Sequence, residues 1–426
     1  MLRNFFSYCC LLLSFSIFGQ DIYLQCGKLV DTKNGKLRNE VTIVVSGNKI
    51  AKIENGFLSG TGQDQLVDLR AMTVLPGLID MHVHIEGQSS PDRYLKRFTD
   101  NEADVALQST VYAERTLMAG FTTVRDLGGS GVNIALRKAI NKGIVKGPRI
   151  YTAGKSIATT GGHADPTNGY KLANMGDPGP KEGVVNSPED GKKAVRQRYK
   201  EGADVIKITA TGGVLSVAKS GSNPQFTIEE IRAITETAKD YGMLTAAHAH
   251  GDLGMQRAIK GGIKTIEHGS FMSEETMELM KQYNVYMIPT ISAGKKVVEK
   301  AKIPGFFPEV VAKKAIEVGA LVQETFGKAY KKGVPIGFGT DAGVFPHGEN
   351  AIEFHYMVEA GMPAAEAIKA ATVTNAELLG MGDALGQIKG GFIADIIAVE
   401  DDPFSDVNTL QKVIFVMKEG KIYKQP

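Results

Sequence analysis

The chain has no tryptophan, three cysteines and eight histidines in 426 residues. Cys9 and Cys10 lie in an apolar N-terminal stretch, so Cys26 is the one cysteine of the expected mature chain and no internal disulfide can form. Excess charge of either sign is also missing. The formal net charge is +2, which leaves no electrostatic case for nucleic acid or an acidic membrane as partner. Long apolar runs are missing beyond the first 19 residues. Met1-Leu2-Arg3-Asn4 is positively charged, 5–18 is apolar, and Gly19-Gln20-Asp21 turns polar. That is the pattern of a signal peptide whose core is too short to span a bilayer. Residues 1–19 are therefore expected to be cleaved, leaving a periplasmic or secreted protein with no membrane attachment. Cys9 and Cys10 are not preceded by the small residues of a lipoprotein box, so no lipid anchor is expected.

What is present is the composition of a soluble globular protein, 43% hydrophobic and 23% charged, with 49 glycines suited to many tight turns. The length allows one large α/β unit and a small accessory domain. Residues 20–75 read as strands separated by Asn34-Gly35, Gly47-Asn48 and Asn55-Gly56. Residues 76–384 alternate short β-branched runs with helical stretches. The runs are 75–84, 121–126, 149–154, 204–209, 243–248, 264–268, 285–289 and 335–341. The helical stretches include 102–119, 188–201, 227–241, 308–331 and 363–379. Eight strands alternating with helices predict an α/β fold, a (β/α)8 TIM barrel, over an open doubly wound sheet. Residues 385–426 return to β. Neither chain end can bury a core alone, so both are expected in one small β-sandwich. A long loop at 157–189, rich in Gly, Pro, Asn and Asp, and a shorter one at 343–350 are candidate lids.

The chemistry is concentrated at strand ends. His82 and His84 close the first run and, two residues apart, point the same way. A lone His-x-His is weak evidence. Here His248 and His268 close two other runs, and Lys207 and Asp341 stand at comparable positions. In barrels of this kind the active site lies at that end of the strands. Imidazoles and a carboxylate suit zinc and other first-row divalent ions. Lys207 sits between Val205, Ile206 and Ile208, where burial lowers an amine's pKa. A neutral amine can take up carbon dioxide as a carbamate, an anionic ligand able to bridge metals. The plainer reading of Lys207 is a buried ion pair.

These motifs resemble the amidohydrolase superfamily, and within it the imidazolonepropionase-like and Xaa-Pro dipeptidase-like enzymes. The residues that carry the resemblance are Pro76–His84, Ile206-Lys207-Ile208 with 210–216, Ala247-His248-Ala249-His250-Gly251, Ile266-Glu267-His268-Gly269, Gly339-Thr340-Asp341-Ala342-Gly343 and the closing segment 390–397. The resemblance implies two divalent metal ions, zinc by preference. His82, His84 and Asp341 would bind one, His248 and His268 the other, and carboxylated Lys207 would bridge them. It also implies a metal-bridging hydroxide as nucleophile, Asp341 as general base and then general acid, and His163 as the residue that polarises the carbonyl or holds substrate. His250 would orient a ligand or touch substrate. The implied reaction is hydrolysis of an amide bond in a small molecule such as an Xaa-Pro-type dipeptide or an N-acyl amino acid, by a homo-oligomer. The alternative is a mononuclear deaminase or imidazolonepropionase-like cyclic amide hydrolase. Such enzymes carry an acidic residue soon after the fifth-strand histidine and lack the bridging lysine, whereas here His248 is followed by Ala249-His250-Gly251. A non-catalytic scaffold on the same fold would lack ligands, and none is missing.

Overall fold

β-Branched residues in period-two order build the first strands, β1 (Ile22–Asp31), β2 (Lys36–Ser46), β3 (Lys49–Asn55) and β4 (Gln65–Pro76). The computed structural model describes residues 20–319 and 321–426, so the expected signal peptide lies outside the described residues. After Gly77 come β5 (Leu78–Val83), β6 (Phe121–Asp126), β7 (Arg149–Thr152), β8 (Val205–Thr209), β9 (Leu244–Ala249), β10 (Thr265–His268) and β11 (Tyr286–Ile288). The chain closes with β12 (Ile396–Val399), β13 (Phe415–Lys418) and β14 (Lys421–Lys424).

Both chain ends share one seven-stranded sheet, in the order β14-β13-β12-β4-β1-β2-β3. The join is β12 against β4, with Ile396 opposite Pro76 and Val399 opposite Thr73. The sheet folds back on itself, because the turn into β3 bonds the segment before β12: Ile50 N–H donates to Phe392 O and Ala394 N–H to Asn48 O. Leu24, Ile43, Leu69, Ala394, Phe415 and their neighbours form a core of their own between these strands.

The seven remaining strands form two parallel sheets, β5-β6-β7 and β11-β10-β9-β8. Short bridges tie their margins together. Ile157 pairs with Ile208 beyond β7, Met287 pairs with Ile336, and Ala342 pairs with Val83. The expected eighth run, 335–341, thus lies between β11 and β5 without being a regular strand. Its backbone explains this. Pro335 has no N–H, Asp341 sits at φ +60°, and side chains take ladder bonds: Asn375 Oδ1 accepts from Phe338 N–H and Asp80 Oδ1 from Thr340 N–H.

Helices pack outside these strands and begin where their caps dictate. Ser187 Oγ accepts from Asp190 N–H ahead of the helix Pro188–Glu201, which stops at Gly202 in the left-handed region. Thr227 and Glu230 form a reciprocal capping box ahead of Ile228–Asp240. The expected helix over 308–331 is two helices, Glu309–Gly319 and Val322–Lys331. Gly319 lies back to back with Gly294 of the helix Ile291–Ala301. A Cβ on Gly319 would meet Gly294 O at 2.6 Å, so the crossing demands glycine there. The long loop is closed at its base by an Ala158–Val184 bridge and contains a short helix, Leu172–Met175.

Candidate metal centre

β5, β8, β9 and β10 deliver their polar residues to one place, because parallel strands in register end on one side. His82 lies in β5 and His84 just past it. Lys207 lies in β8, His248 in β9 with His250 just past it, and His268 ends β10. Asp341 joins them through its N–H, which donates to His82 O at 2.7 Å. The rings meet directly: His82 and His268 have centroids 5.1 Å apart, His248 and His268 4.7 Å, and His82 and His84 5.4 Å. His163, from the long loop, stacks on His248 at 4.3 Å. All seven expected functional positions beyond Lys207 therefore fall into one cluster, and Lys207 lies within reach of its charge.

Five of the six imidazoles, all but His163, are oriented by a hydrogen bond on one ring nitrogen. His82 Nδ1 lies 2.9 Å from Glu267 Oε2, His84 Nδ1 2.7 Å from Gly128 O, and His268 Nδ1 2.7 Å from Thr290 Oγ1. His250 Nδ1 lies 2.8 Å from Ser270 Oγ, and His248 Nε2 3.0 Å from Gly212 O. The remaining nitrogens face inward. His84 Nε2 is 3.3 Å and His82 Nε2 3.6 Å from Asp341 Oδ1. His84 is the outer of the pair, with its side chain 37% exposed against 1% for His82.

Burial keeps these rings neutral. The pKa values of His82, His163, His248 and His268 fall well below the ordinary imidazole value, chiefly by desolvation, with the positive charge of Lys207 adding to it. His84 falls to about 4 and His250 to about 3 for the same first cause. Burial lowers the Lys207 amine to about 8, against the opposing pull of Glu267 and Asp341. Burial raises the Asp341 carboxyl to about 7, against the pull of Lys207.

The donor set fits a divalent metal centre. Ligand atoms of His82, His268 and Asp341 lie within 4.8 Å of one another, as do those of His248, His250 and His268. Asp341 Oδ1 is buried with no hydrogen-bond partner, a costly state unless a cation or proton meets it. His268, Thr290 and Asp341 also hold positive φ angles of 75°, 52° and 60°, backbone strain gathered at the site. His250, expected beside the ligands, comes as close to His248 and His268 as a ligand would. His84 is absent from both close triples and meets the cluster through Asp341.

Several residues that hold the cluster were not anticipated from the sequence. Glu267 bonds His82 and also accepts from Arg125 Nη2 at 2.8 Å and Thr265 Oγ1 at 2.5 Å. Arg125, wholly buried, donates Nε–H to Met81 O at 2.6 Å. Asp80 accepts from His82 N–H, Thr340 N–H, Thr340 Oγ1 and Asn350 Nδ2, joining the first strand to the Asp341 segment. A signal was available: Asp80, Arg125 and Glu267 are charged residues inside short strand runs, one or two positions from a strand-end His or Asp.

The fold and site together define a hydrolase of the amidohydrolase type, and the comparisons agree. The amidohydrolase family matches residues 73–423, and the chain belongs to that family. Among curated proteins it is 34% identical over 430 residues to an ochratoxinase of Aspergillus niger, covering 95% of this chain and 86% of that one. Among solved structures, a Xaa-Pro dipeptidase with methionine bound in its active site is 52% identical. It has a TM-score of 0.92 and covers 95% of this chain and 100% of its own. A prolidase complexed with N-methylphosphonate-L-proline is 30% identical with a TM-score of 0.87, over 96% and 100%.

Proposed function

We propose that the chain is a binuclear metal-dependent hydrolase that cleaves the amide bond of a small substrate, an Xaa-Pro-type dipeptide or an N-acyl amino acid. One observation carries this reading: ligand atoms of His82, His268 and Asp341 lie within 4.8 Å of one another, as do those of His248, His250 and His268, and Asp341 Oδ1 among them is buried without a hydrogen-bond partner. The relatives support the substrate class, since a Xaa-Pro dipeptidase and a prolidase stand among them. The parallel strands are read as a closed (β/α)8 barrel spanning 76–384, with 20–75 and 385–426 as the accessory β domain. The signal peptide, export and homo-oligomeric state belong to the same proposal.

His82, His84 and Asp341 would hold one cation, His248 and His268 the other, and Lys207, as its carbamate, would lie between them. Two such ions supply a Lewis acid for the carbonyl and a water of lowered pKa. The protein's own part is arrangement and proton transfer. Glu267, Gly128, Thr290 and Gly212 fix ring orientations through the far nitrogens. Burial lowers the pKa of the Lys207 amine, so a larger fraction is neutral than in a free lysine, and the neutral amine is the form that adds carbon dioxide and releases a proton. Asp341 Oδ1, buried without a hydrogen-bond partner, can accept the proton of the attacking water and return it to the leaving amine. His163, neutral with a buried partnerless Nδ1, can donate to the carbonyl oxygen as it gains charge.

The test is metal analysis beside a screen of dipeptides and N-acyl amino acids. Two metals per chain and hydrolysis of at least one member are expected. Reconstitution of stripped protein should accelerate with bicarbonate, and faster at pH 8.5 than at pH 6, because the neutral amine is scarce at the lower value. One metal per chain with an unmodified Lys207, or inactivity throughout the screen, would refute the reading.

A further inference from the structure

One cation above the metal centre has no role in the reaction just described. Arg93 opens the helix Arg93–Thr99, which has no buried residue and caps the long loop. Arg97 covers the Tyr170 ring at 5.6 Å, Phe98 meets that ring edge-on at 4.9 Å, and Tyr94 Oη donates to Leu215 O at 3.3 Å. The segment leading into the helix is tied to the segment just after Asp341. Ser89 N–H donates to Gly343 O at 2.7 Å, and the next carbonyl, Val344 O, accepts from Lys300 Nζ at 2.7 Å. Arg93 and Lys300 therefore flank the Asp341 side of the mouth.

Arg70, Arg125, Arg137, Arg149 and Arg198 each hold a carboxylate. Among the described residues, the arginines without an ion pair are exposed except for Arg93 and Arg257, which are half-buried; Arg257 donates to Phe226 O, whereas the Arg93 side chain makes no hydrogen bond. Its guanidinium carbon rests 5.6 Å from the Tyr94 ring centroid. Its charge is felt at His84, Asp341 and Lys300, and Asp341 is the carboxylate that acts back on it. If Asp341 serves the metal centre, this guanidinium is left without a partner anion. One turn along the helix Arg97 covers the Tyr170 ring, whose hydroxyl is buried with no hydrogen-bond partner, and Tyr170 is among the groups whose charge acts on Arg93. A planar fork of donors next to a hydroxyl, with no carboxylate spare, matches a carboxylate ligand.

We infer that Arg93, assisted by the Tyr170 hydroxyl, holds the terminal carboxylate of an amino-acid substrate. The chain would then accept dipeptides and N-acyl amino acids with a free C-terminus and reject their C-terminal amides. This rests on the hydrolase reading for its substrate class, so it is tested by binding as well as by rate. N-acetyl amino acids should raise the melting temperature of the purified protein, and the matching N-acetyl amino acid amides should not. Arg93→Met should abolish the acid-specific shift and Arg93→Lys should retain part of it. Ligand-free melting should be unchanged for both variants, as expected for a helix without buried residues. In turnover, Arg93→Met should raise KM for acid substrates about tenfold or more with kcat little changed, and Tyr170→Phe about threefold. Equal stabilisation of the wild type by acids and amides, no acid-specific shift at all, or an Arg93→Met variant that keeps the preference would each overturn the assignment. Arg93-dependent binding without hydrolysis would instead leave the anchor standing and remove the hydrolase reading.

Discussion

At the scale of single residues, Gly213 shows how a backbone atom can set a side chain. A Cβ added there would meet His163 Cε1 at 2.3 Å, and the ring that would have to yield is stacked on His248. Gly213→Ala should therefore displace His163 while leaving the core alone. The expected result is a fall in kcat of about 100-fold with little change in melting temperature, as for a misplacement of about 1 Å at a reacting centre. Equal losses in both quantities would mean that the glycine serves folding and not the site. Cys26 gives a residue-level test of another kind. Burial among Leu24, Ile43 and their neighbours pushes its thiol up to about 12. An unfolded thiol ionises near pH 8.5 to 9, so between that value and about 12 the unfolded chain loses a proton that the folded chain keeps. Stability should fall across that window as pH rises. At pH 8 the folded protein should resist thiol alkylation, and reaction should appear only with denaturant. Brisk labelling of native protein would contradict the burial.

At the scale of elements, the sequence was informative where a strand is regular and uninformative where side chains replace the ladder. The alternation and flanking turns of β5 to β11 were readable, and with them the strand-end histidines. Pro188–Glu201 has the bounds its capping residues imply. The run 335–341 was readable as apolar and glycine-rich, but not its irregularity, because its bonding partners come from distant chain. The expected helix over 363–379 contains such a partner. It is α-helical over Ala364–Lys369, widens to a π turn at Ala370–Thr374, and resumes over Asn375–Leu378. Asn375 Nδ2 donates to Ile79 O and Phe338 O, each at 2.8 Å, and its Oδ1 accepts from Phe338 N–H at 3.2 Å. One amide thus fills the gap between β5 and the eighth run. No local pattern in the sequence records a contact across 37 or 296 positions. Asn375→Ala would leave these buried backbone groups unpaired and should cost about 2–4 kcal/mol. Denaturant unfolding would measure it, and a cost under about 0.5 kcal/mol would mean that the gap closes without the amide.

At the scale of the molecule, the strand that carries His82 and His84 is continuous with the sheet made by the chain ends. β4 and β5 are separated by Gly77 alone, and a Cβ there would meet Thr122 Oγ1 at 2.2 Å. The junction is locked from the C-terminal side. Gly77 N–H donates to Asp395 O at 2.9 Å, and Asp395 Oδ2 accepts from Arg149 Nη1 at 2.8 Å. Arg149 also donates Nη2–H to Glu419 Oε1 at 2.6 Å, so one guanidinium spans the parallel strands and both C-terminal β segments. Burial alone would lower its pKa, but the Asp395 and Glu419 carboxylates together outweigh burial and raise it, so the guanidinium stays charged. Asp395 is 5% exposed, so removing the arginine strands a buried charge. Arg149 opens β7, whereas the metal centre gathers at the opposite strand ends, so stability and catalysis should separate here. Arg149→Ala should lose about 3–5 kcal/mol in denaturant unfolding, while the fraction that remains folded keeps kcat within about twofold. A collapse of kcat at unchanged stability would show that the terminal sheet acts on the reaction itself and is more than the frame from which β5 is hung.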